Sequence, residues 1–259
     1  MKCFTTSDGV EIHYRCEGAG EALLLLHGLG SAADDWQAQI DYYQARYCVI
    51  APDLRGHGRS GVNGKDYSMQ RFARDVNELL DHLGIERVTI IGLSMGGAVA
   101  FQTALDQPAR VRQLLIVNSG PSAKAKTLEH KFYISLRRLL AFLFKPSFFA
   151  KSIADRLFPA SAMQPLREQF IERISANNWR SYRKSIEALS RWCVEDQLHR
   201  FTMPVAFICA EFDYTPVEFK QYFAERLPDA VVKVVADTHH ALPVEAPAAF
   251  HQAVDDCLI

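Results

Sequence analysis

The sequence lacks any apolar run of the roughly 20 residues that a membrane-spanning helix needs. It also lacks a charge of one sign, because 29 lysines and arginines stand against 30 aspartates and glutamates. This balance gives the whole chain no electrostatic attraction to nucleic acid or to anionic membranes. The first residues, MKCFTTSDG, lack the apolar core of a signal peptide. We therefore expect a cytoplasmic protein with no membrane span and no nucleic-acid partner.

Cysteine pairs at the spacing of a metal site or a disulfide framework are also absent. The six cysteines are scattered along the chain, and none forms a Cys-x-x-Cys pair. Isolated cysteines of this kind usually behave as small apolar residues in a protein core. We therefore expect neither a bound metal nor a disulfide framework.

Short apolar runs alternate with longer helix-like segments along most of the chain. Buried strands are expected over residues 22–26, 47–51, 88–91, 114–117, 205–209 and 231–235. These runs are almost continuously hydrophobic, as strands covered on both faces should be. Residues 9–14 alternate polar and apolar side chains, which predicts an antiparallel edge strand. The pattern indicates an α/β protein with a mainly parallel sheet flanked by helices.

The alternation stops between Asn118 and Thr202, where the sequence predicts successive amphipathic helices, for example over residues 130–144 and 166–174. This helical segment has its own charge. Residues 121–200 hold 15 lysines and arginines but only 7 aspartates and glutamates. The chain is therefore near neutral only because a basic segment and an acidic remainder cancel.

A candidate nucleophile lies in the segment VTIIGLSMGGAVAF, in which a strand runs into Gly-Leu-Ser94-Met-Gly and then into an apolar helix. This is the G-x-S-x-G motif in its strand–turn–helix context. Glycine suits the flanking positions because the turn is too tight for larger side chains. The turn would present the Ser94 hydroxyl above a helix N-terminus, whose dipole favours an oxyanion. The alternative is a glycine-rich turn with an incidental serine.

The segment LLLLHGLG, a buried strand ending in a glycine loop, resembles the corresponding segment of the α/β-hydrolase family. Together with the serine motif, the resemblance extends from about Gly9 to the end of the chain. It implies a mostly parallel eight-stranded sheet flanked by helices, formed by residues 1–120 and 201–259. Residues 121–200 would form a helical cap inserted before the acid-bearing strand. It also implies an oxyanion hole made by the backbone amides of Leu29 and Met95.

A serine nucleophile needs a base, and the base needs a carboxylate that fixes its tautomer. Asp213 follows the predicted strand 205–209, at the edge where catalytic groups gather in parallel sheets. Glu211, two residues earlier, is its rival. The family pattern of an acid shortly before Thr-Pro favours Asp213. The family's other acid position, after the strand ending near Val117, holds Asn118 and no carboxylate.

Two adjacent histidines, His239 and His240, compete for the role of base. The family usually has Gly-His, followed by Glu five residues and Pro seven residues later. Glu245 and Pro247 satisfy this count only for His240. His239 then stands where glycine is usual, which questions the backbone conformation of the loop. A metal site is disfavoured because adjacent histidines diverge and no cluster of ligand spacing accompanies them.

The segment DLRGHGRS is a further similarity to the family. We interpret it as a structural loop packed near the site, with catalytic roles for Arg55 or His57 as the alternative.

These residues predict a serine hydrolase that cleaves an ester, lactone or thioester through an acyl-enzyme and needs no cofactor. Ser94 would attack, His240 would act as base and Asp213 would orient it. The motifs look most like the small-carboxylesterase and 3-oxoadipate enol-lactonase branch. An aspartate in place of Ser94 would have indicated a dehalogenase or epoxide hydrolase.

The helical segment predicts the type of substrate. Its aromatic and aliphatic residues, over 132–133, 139–144 and 148–149, are expected to pack inward and to line a pocket for an acyl chain or ring. Its basic residues are either a solvated face or an attraction for a small anionic acyl substrate.

Three alternatives remain open. An acyl-carrier-protein methyl-ester esterase would dock an acidic carrier protein on the basic cap, at residues such as Arg137 and Arg138. An acyltransferase would pass the acyl group to an acceptor other than water. A non-catalytic receptor of the same fold would bind a small molecule and barely turn it over.

Overall fold

The computed structural model describes residues 1–123, 132, 135–136, 139–140 and 142–259. Over these residues, eight strands form one sheet with the order β1-β2-β4-β3-β5-β6-β7-β8. The strands are β1 (Lys2–Thr5), β2 (Glu11–Glu17), β3 (Glu21–Leu26), β4 (Tyr47–Pro52), β5 (Val88–Leu93), β6 (Val111–Val117), β7 (Val205–Ala210) and β8 (Ala230–Val235). Strands β3 to β8 pair in parallel. The mostly parallel eight-stranded sheet is therefore confirmed.

The prediction for residues 9–14 is confirmed in direction and wrong in position. Strand β2 is antiparallel, but it pairs with β1 on one side and with β4 on the other, so β1 forms the edge. The sequence of β1 carries little signal because Phe4 is its one buried residue. Pairing of Phe4 with Ile12, rather than hydrophobic alternation, places β1 in the sheet.

Two apolar layers cover the two faces of the sheet. The helices of the described chain are α1 (Gln37–Tyr43), α2 (Met69–His82), α3 (Met95–Asp106), α4 (Pro146–Leu157), α5 (Gln164–Ala176), α6 (Trp179–Arg191), α7 (Val217–Ala224), α8 (Leu242–Glu245) and α9 (Pro247–Asp255). Leu24 packs in the layer with Phe101 of α3, whereas Leu23 packs in the layer with Phe250 of α9. Successive strand residues point to opposite faces, which explains the continuously apolar runs.

The helices α4, α5 and α6 lie between β6 and β7 in the chain, within the predicted helical segment. The helix predicted over residues 166–174 falls inside α5. Most of the helix predicted over residues 130–144, with the proposed docking residues Arg137 and Arg138, lies outside the described residues. Within the described ranges, no helix combines the length and the apolar character that crossing a bilayer requires.

The expectation that the aromatic residues of this segment pack inward is wrong for those that the structure describes. Phe132, Phe142 and Phe148 are 70%, 58% and 64% exposed. The inward side chains come instead from later residues, such as Ile153 and Phe170, which pack with the small clusters beneath the helices. Hydrophobicity alone could not distinguish the two sets, because the helical register decides which residues face the sheet.

The loop DLRGHGRS is held by buried polar contacts. The Arg55 guanidinium is fully buried and donates to both carboxylate oxygens of Asp75, each at 2.7 Å, and to Asp8, at 2.8 Å. The Asp53 carboxylate accepts the backbone N–H groups of Ala33 and Arg59 at 2.7 and 2.9 Å. These contacts favour the structural interpretation of the loop.

Two buried histidines beside this loop are expected to make the protein less stable as the pH falls from 7 to 5. Burial lowers the pKa of His27 to about 4 and that of His57 to about 3. A histidine in the unfolded chain titrates near 6.5, so the unfolded chain binds protons first. The stabilisation is complete above pH 6.5 and is lost as the pH falls towards the folded values. Each histidine contributes a slope of about 1.4 kcal/mol per pH unit.

Urea unfolding at half-unit intervals between pH 5 and pH 7.5 measures this slope. His57→Phe keeps an aromatic ring against Phe72 and removes one titrating group. We expect the variant to lose about 1.4 kcal/mol per pH unit of the wild-type slope. Equal slopes in the two proteins would contradict the prediction.

Candidate active site

Ser94 stands on a strained turn between β5 and α3. Its backbone angles are φ 53° and ψ −113°, a region that residues other than glycine rarely adopt. Two hydrogen bonds fix the turn to the end of β6. The Ser94 N–H donates to the Val117 carbonyl at 2.9 Å, and the Ser119 hydroxyl donates to the Ser94 carbonyl at 2.7 Å. Strain held by neighbouring contacts is typical of a functional position.

The glycines around Ser94 are required by close backbone approach. A Cβ at Gly96 would lie 2.1 Å from the Leu26 carbonyl oxygen, and one at Gly92 would lie 2.5 Å from the Gly96 carbonyl oxygen. Neither position can therefore hold a side chain without moving the backbone of β3 or α3. The steric reason inferred from G-x-S-x-G agrees with this geometry.

The loop predicted to form part of the oxyanion hole lies beside Ser94, because β3 and β5 are neighbours in the sheet. A Cβ at Gly28 would be 3.5 Å from the Ser94 Cβ, so the loop that carries Leu29 touches the serine turn. Met95 is the first residue of α3 and is fully buried. The donor roles of the Leu29 and Met95 amides stay a prediction.

Asp213 and His240 meet at the C-terminal edge of the sheet, after β7 and β8 respectively. The His240 Nδ1–H donates to Asp213 Oδ1 at 2.5 Å, and the Asp213 side chain is only 1% exposed. Burial opposes ionisation of this carboxyl, but His240 and Lys220 outweigh it and hold the pKa of Asp213 well below its usual range. Asp213 is therefore ionised at neutral pH, and His240 Nε2 is left as the basic nitrogen.

The two other candidates for the acid are occupied elsewhere. Glu211 is exposed, and its carboxylate accepts the backbone N–H of Asp237 at 2.9 Å. Asn118 connects three strand ends: its side chain accepts the N–H of Ala210 at 2.8 Å and donates to the His240 carbonyl at 3.0 Å. The residue at the family's second acid position therefore supports the histidine loop through its amide. These contacts favour Asp213 as the acid.

His239 has a different partner from its neighbour. The Glu245 carboxylate, which is buried, accepts the His239 backbone N–H at 2.8 Å and bonds its ring Nδ1 at 2.7 Å. His239 needs no glycine-like backbone, because the positive φ in this loop belongs to Asp237. Among the residues that the structure describes, no group of three or more His, Cys, Asp and Glu side chains could hold a metal ion.

Ser94 and His240 line one cavity of about 830 Å³ beneath the helical segment. This volume suits a small organic ligand. Leu29 and Ser31 line the cavity at the oxyanion loop. The helical segment contributes mainly apolar residues to the lining: Ile153, Leu157, Phe158, Leu166, Phe170, Ile174, Ile186 and Leu189.

Three residues of this site were not predicted from the sequence. Tyr214 stacks on the His240 ring with a centroid distance of 4.4 Å, and the Arg156 guanidinium lies 4.7 Å from the centre of the Tyr214 ring. Lys220 forms an ion pair with Asp213 at 2.6 Å. The position of Tyr214 directly after the acid was an available signal. Lys220 and Arg156 reach the site only through tertiary packing.

Comparisons with known proteins cover nearly the whole chain. The family described as alpha/beta hydrolase fold matches residues 21–247. The chain is also similar to 3-oxoadipate enol-lactonase 2 of Acinetobacter baylyi, with 30% identity over 258 residues. That match covers 96% of this chain and 94% of the relative.

Solved structures show the same similarity in three dimensions. A hydrolase from Pseudomonas aeruginosa PA01 superposes with a TM-score of 0.89 at 28% identity, covering 98% of this chain and 97% of the other. A thermophilic esterase from Thermogutta terrifontis, studied with malate bound, superposes with a TM-score of 0.88 at 25% identity. That superposition covers 99% of this chain and 97% of the esterase.

Proposed function

This chain belongs to the alpha/beta hydrolase fold family, and from that premise we propose that it hydrolyses a carboxylic ester or lactone through an acyl-enzyme on Ser94. One observation carries the proposal. Ser94 on its strained turn and His240 line the same cavity, and His240 is bonded to the buried Asp213. A serine, a histidine and a buried carboxylate in this order and arrangement are the parts that acyl transfer to serine requires.

In the proposed reaction, His240 Nε2 takes the Ser94 proton as Oγ attacks the substrate carbonyl. The Asp213 carboxylate keeps the second proton of the imidazole on Nδ1 and stabilises the imidazolium that forms. The amides of Leu29 and Met95 donate to the oxyanion. His240 then protonates the leaving group, and in the second half of the reaction it deprotonates the water that releases the acid.

The lining of the cavity supports a substrate with an apolar acyl chain or ring. Two arginines, Arg156 and Arg173, also reach it, and Arg173 pairs with Asp35. The charge of Arg173 is thereby balanced, so Arg156 adds a net positive charge to the lining. We propose that a carboxylate on the substrate raises its affinity for this cavity.

A panel of chromogenic esters and lactones tests the proposed function. Each apolar acyl group is presented in a neutral form and in a form that carries a carboxylate. We expect the wild type to hydrolyse several members, and Ser94→Ala to lower kcat by about 10⁴-fold or more. A fluorophosphonate should add one phosphonyl group to the wild type, located on Ser94 by mass spectrometry.

Ser161→Ala is the matched control, because Ser161 is an exposed serine of the helical segment, and it should be labelled like the wild type. A wild type that hydrolysed no member and resisted the phosphonate would contradict the proposed function. Equal kcat/KM values for neutral and carboxylate-bearing partners would contradict the preference for an anionic substrate and leave hydrolysis untouched.

A further inference from the structure

A lysine with no access to solvent lies behind the candidate acid. Lys220 is 0% exposed, and its ammonium group lies 2.6 Å from Asp213 Oδ2. The same ammonium donates to the carbonyl of Thr215, in the loop that joins Asp213 to α7. The buried carboxylate of Asp213 is thus enclosed by His240 on one oxygen and by Lys220 on the other.

The position of Lys220 opposes two local preferences. A buried ammonium loses its hydration, which is unfavourable unless a partner compensates it. Lys220 is also the fourth residue of α7, near the helix N-terminus, where the dipole disfavours a positive charge. The ion pair with Asp213 offsets both penalties. A residue that contradicts burial and helix polarity together is more typical of a functional site than of a structural one.

The hydrogen bonds of Asp213 show what the lysine does for the carboxylate. Oδ1 accepts from His240, whereas Oδ2 accepts from Lys220 at 2.6 Å and from the Thr215 hydroxyl at 2.7 Å. The backbone N–H of Thr215 is more distant, at 3.4 Å. Lys220 and the Thr215 hydroxyl therefore set the rotation of the carboxylate that aims Oδ1 at the histidine.

We propose that Lys220 is a positioning residue for Asp213, and that its positive charge opposes the binding of a proton by the Asp213–His240 pair. The proposal rests on the roles given above to Asp213 and His240. A cation beside the carboxylate weakens the attraction of that carboxylate for a proton on the histidine. Lys220 would therefore keep the base ready at a lower pH than an aspartate–histidine pair alone would allow.

The other titratable groups around the pair do not supply this effect in its place. Cys209 of β7 faces Lys220 and Asp213, and burial raises its pKa to about 12, so it is a neutral thiol at physiological pH. On the side of the histidine, Tyr214 covers the ring of His240, and Arg156 lies beyond Tyr214. Lys233 of β8, the other strand that contacts α7, pairs with Asp256 at the surface.

The test is the pH dependence of Lys220→Gln, which removes the charge and keeps a hydrogen-bond donor. The rate constant for fluorophosphonate labelling and kcat/KM for the best ester of the panel are measured between pH 5 and pH 9. We expect the acidic limb of both profiles to move up by about 1 pH unit. Labelling at pH 6 should then be about 10-fold slower than in the wild type, and at pH 9 within about 3-fold of it.

Lys220→Met separates the charge from the hydrogen bond. It leaves Asp213 Oδ2 with the hydroxyl of Thr215, so we expect the same shift of the acidic limb together with a 10-fold or greater loss, marked as about 1.4 kcal/mol, at every pH. KM should change less than kcat, because Lys220 does not line the cavity. Lys233→Met is the matched control, since it removes a lysine bonded to an aspartate at the same 2.6 Å distance on the surface, and its profile should follow the wild type.

Profiles of Lys220→Gln and the wild type that coincide would overturn the proposal. So would a loss that is equal at every pH and matches the fall in folded protein. If neither single variant folds, Asp213→Asn and Asp213→Asn/Lys220→Met are compared, and the acidic limb must lie at higher pH in the double variant.

Failure of the proposed function is recognised separately, because it would leave wild type and Ser94→Ala equally unreactive. In that case the NMR signal of the His240 Nδ1 proton, followed with pH in wild type and Lys220→Gln, still measures the midpoint. Equal midpoints would overturn the role of Lys220, and a higher midpoint in the variant would support it.

Discussion

Replacing His240 with alanine is expected to lower kcat/KM by about 10⁴-fold or more, whereas His239→Ala should keep it within about 3-fold of the wild type. The two residues are adjacent in sequence but have different partners. His240 bonds the buried Asp213 and lines the cavity with Ser94. His239 bonds Glu245, through its backbone and its ring. Only His240 is therefore placed to take a proton from Ser94.

The measurement is kcat/KM for one ester of the panel, normalised to the folded fraction by circular dichroism. His239→Ala leaves the buried Glu245 carboxylate with one donor fewer, so we expect a loss of about 1–2 kcal/mol in unfolding free energy. Normalisation separates this loss from a catalytic effect. A large fall in His239→Ala with a small one in His240→Ala would refute the assignment of the base.

Arg55→Ala is expected to lower the unfolding free energy by about 3–5 kcal/mol. Arg55 is fully buried and bonds both Asp8 and Asp75. Burial raises the pKa of Asp75, although Arg55 and Arg71 oppose the rise. Without Arg55, a buried carboxylate loses its bidentate partner and must either stay charged or take up a proton.

Urea unfolding at pH 7 tests this prediction, with Arg59→Ala as the control. Arg59 pairs with Asp34, and both side chains are about half exposed, so its removal should lower the unfolding free energy by less than about 1 kcal/mol. Activity of the folded fraction should be similar in both variants, because neither arginine lines the cavity. An Arg55→Ala protein with wild-type stability and greatly reduced kcat would instead support the catalytic alternative for this loop.

The sheet was predictable because its signals are local. Parallel strands buried on both faces must be apolar at successive positions, and β3 and β5 to β7 are. The turn at Ser94 was predictable for a steric reason, since only glycine permits the approach of Gly96 to the Leu26 carbonyl. Strand β1 escaped prediction because pairing with β2, rather than its own pattern, places it at the edge.

The choice between neighbouring candidates depended on family spacing until the structure supplied contacts. Glu211 and Asp213 follow the same strand, but Glu211 bonds the backbone of Asp237 at the surface. The spacing that singled out His240 counted back from Glu245, and the structure shows that Glu245 bonds His239 instead. The spacing thus reflects how the loop is held, and this loop presents the next residue to Asp213.

The sequence by itself determined the parallel sheet, the serine turn and the chain order of serine, acid and histidine, because hydrophobic runs and glycine sterics act within a few residues. Only the tertiary structure decided that Lys220 is buried against Asp213, that Tyr214 and Arg156 stack above His240, and that Phe132 and Phe148 face outward. These features arise where separate elements pack together. The burial and charge of a side chain then depend on neighbours that are distant in sequence.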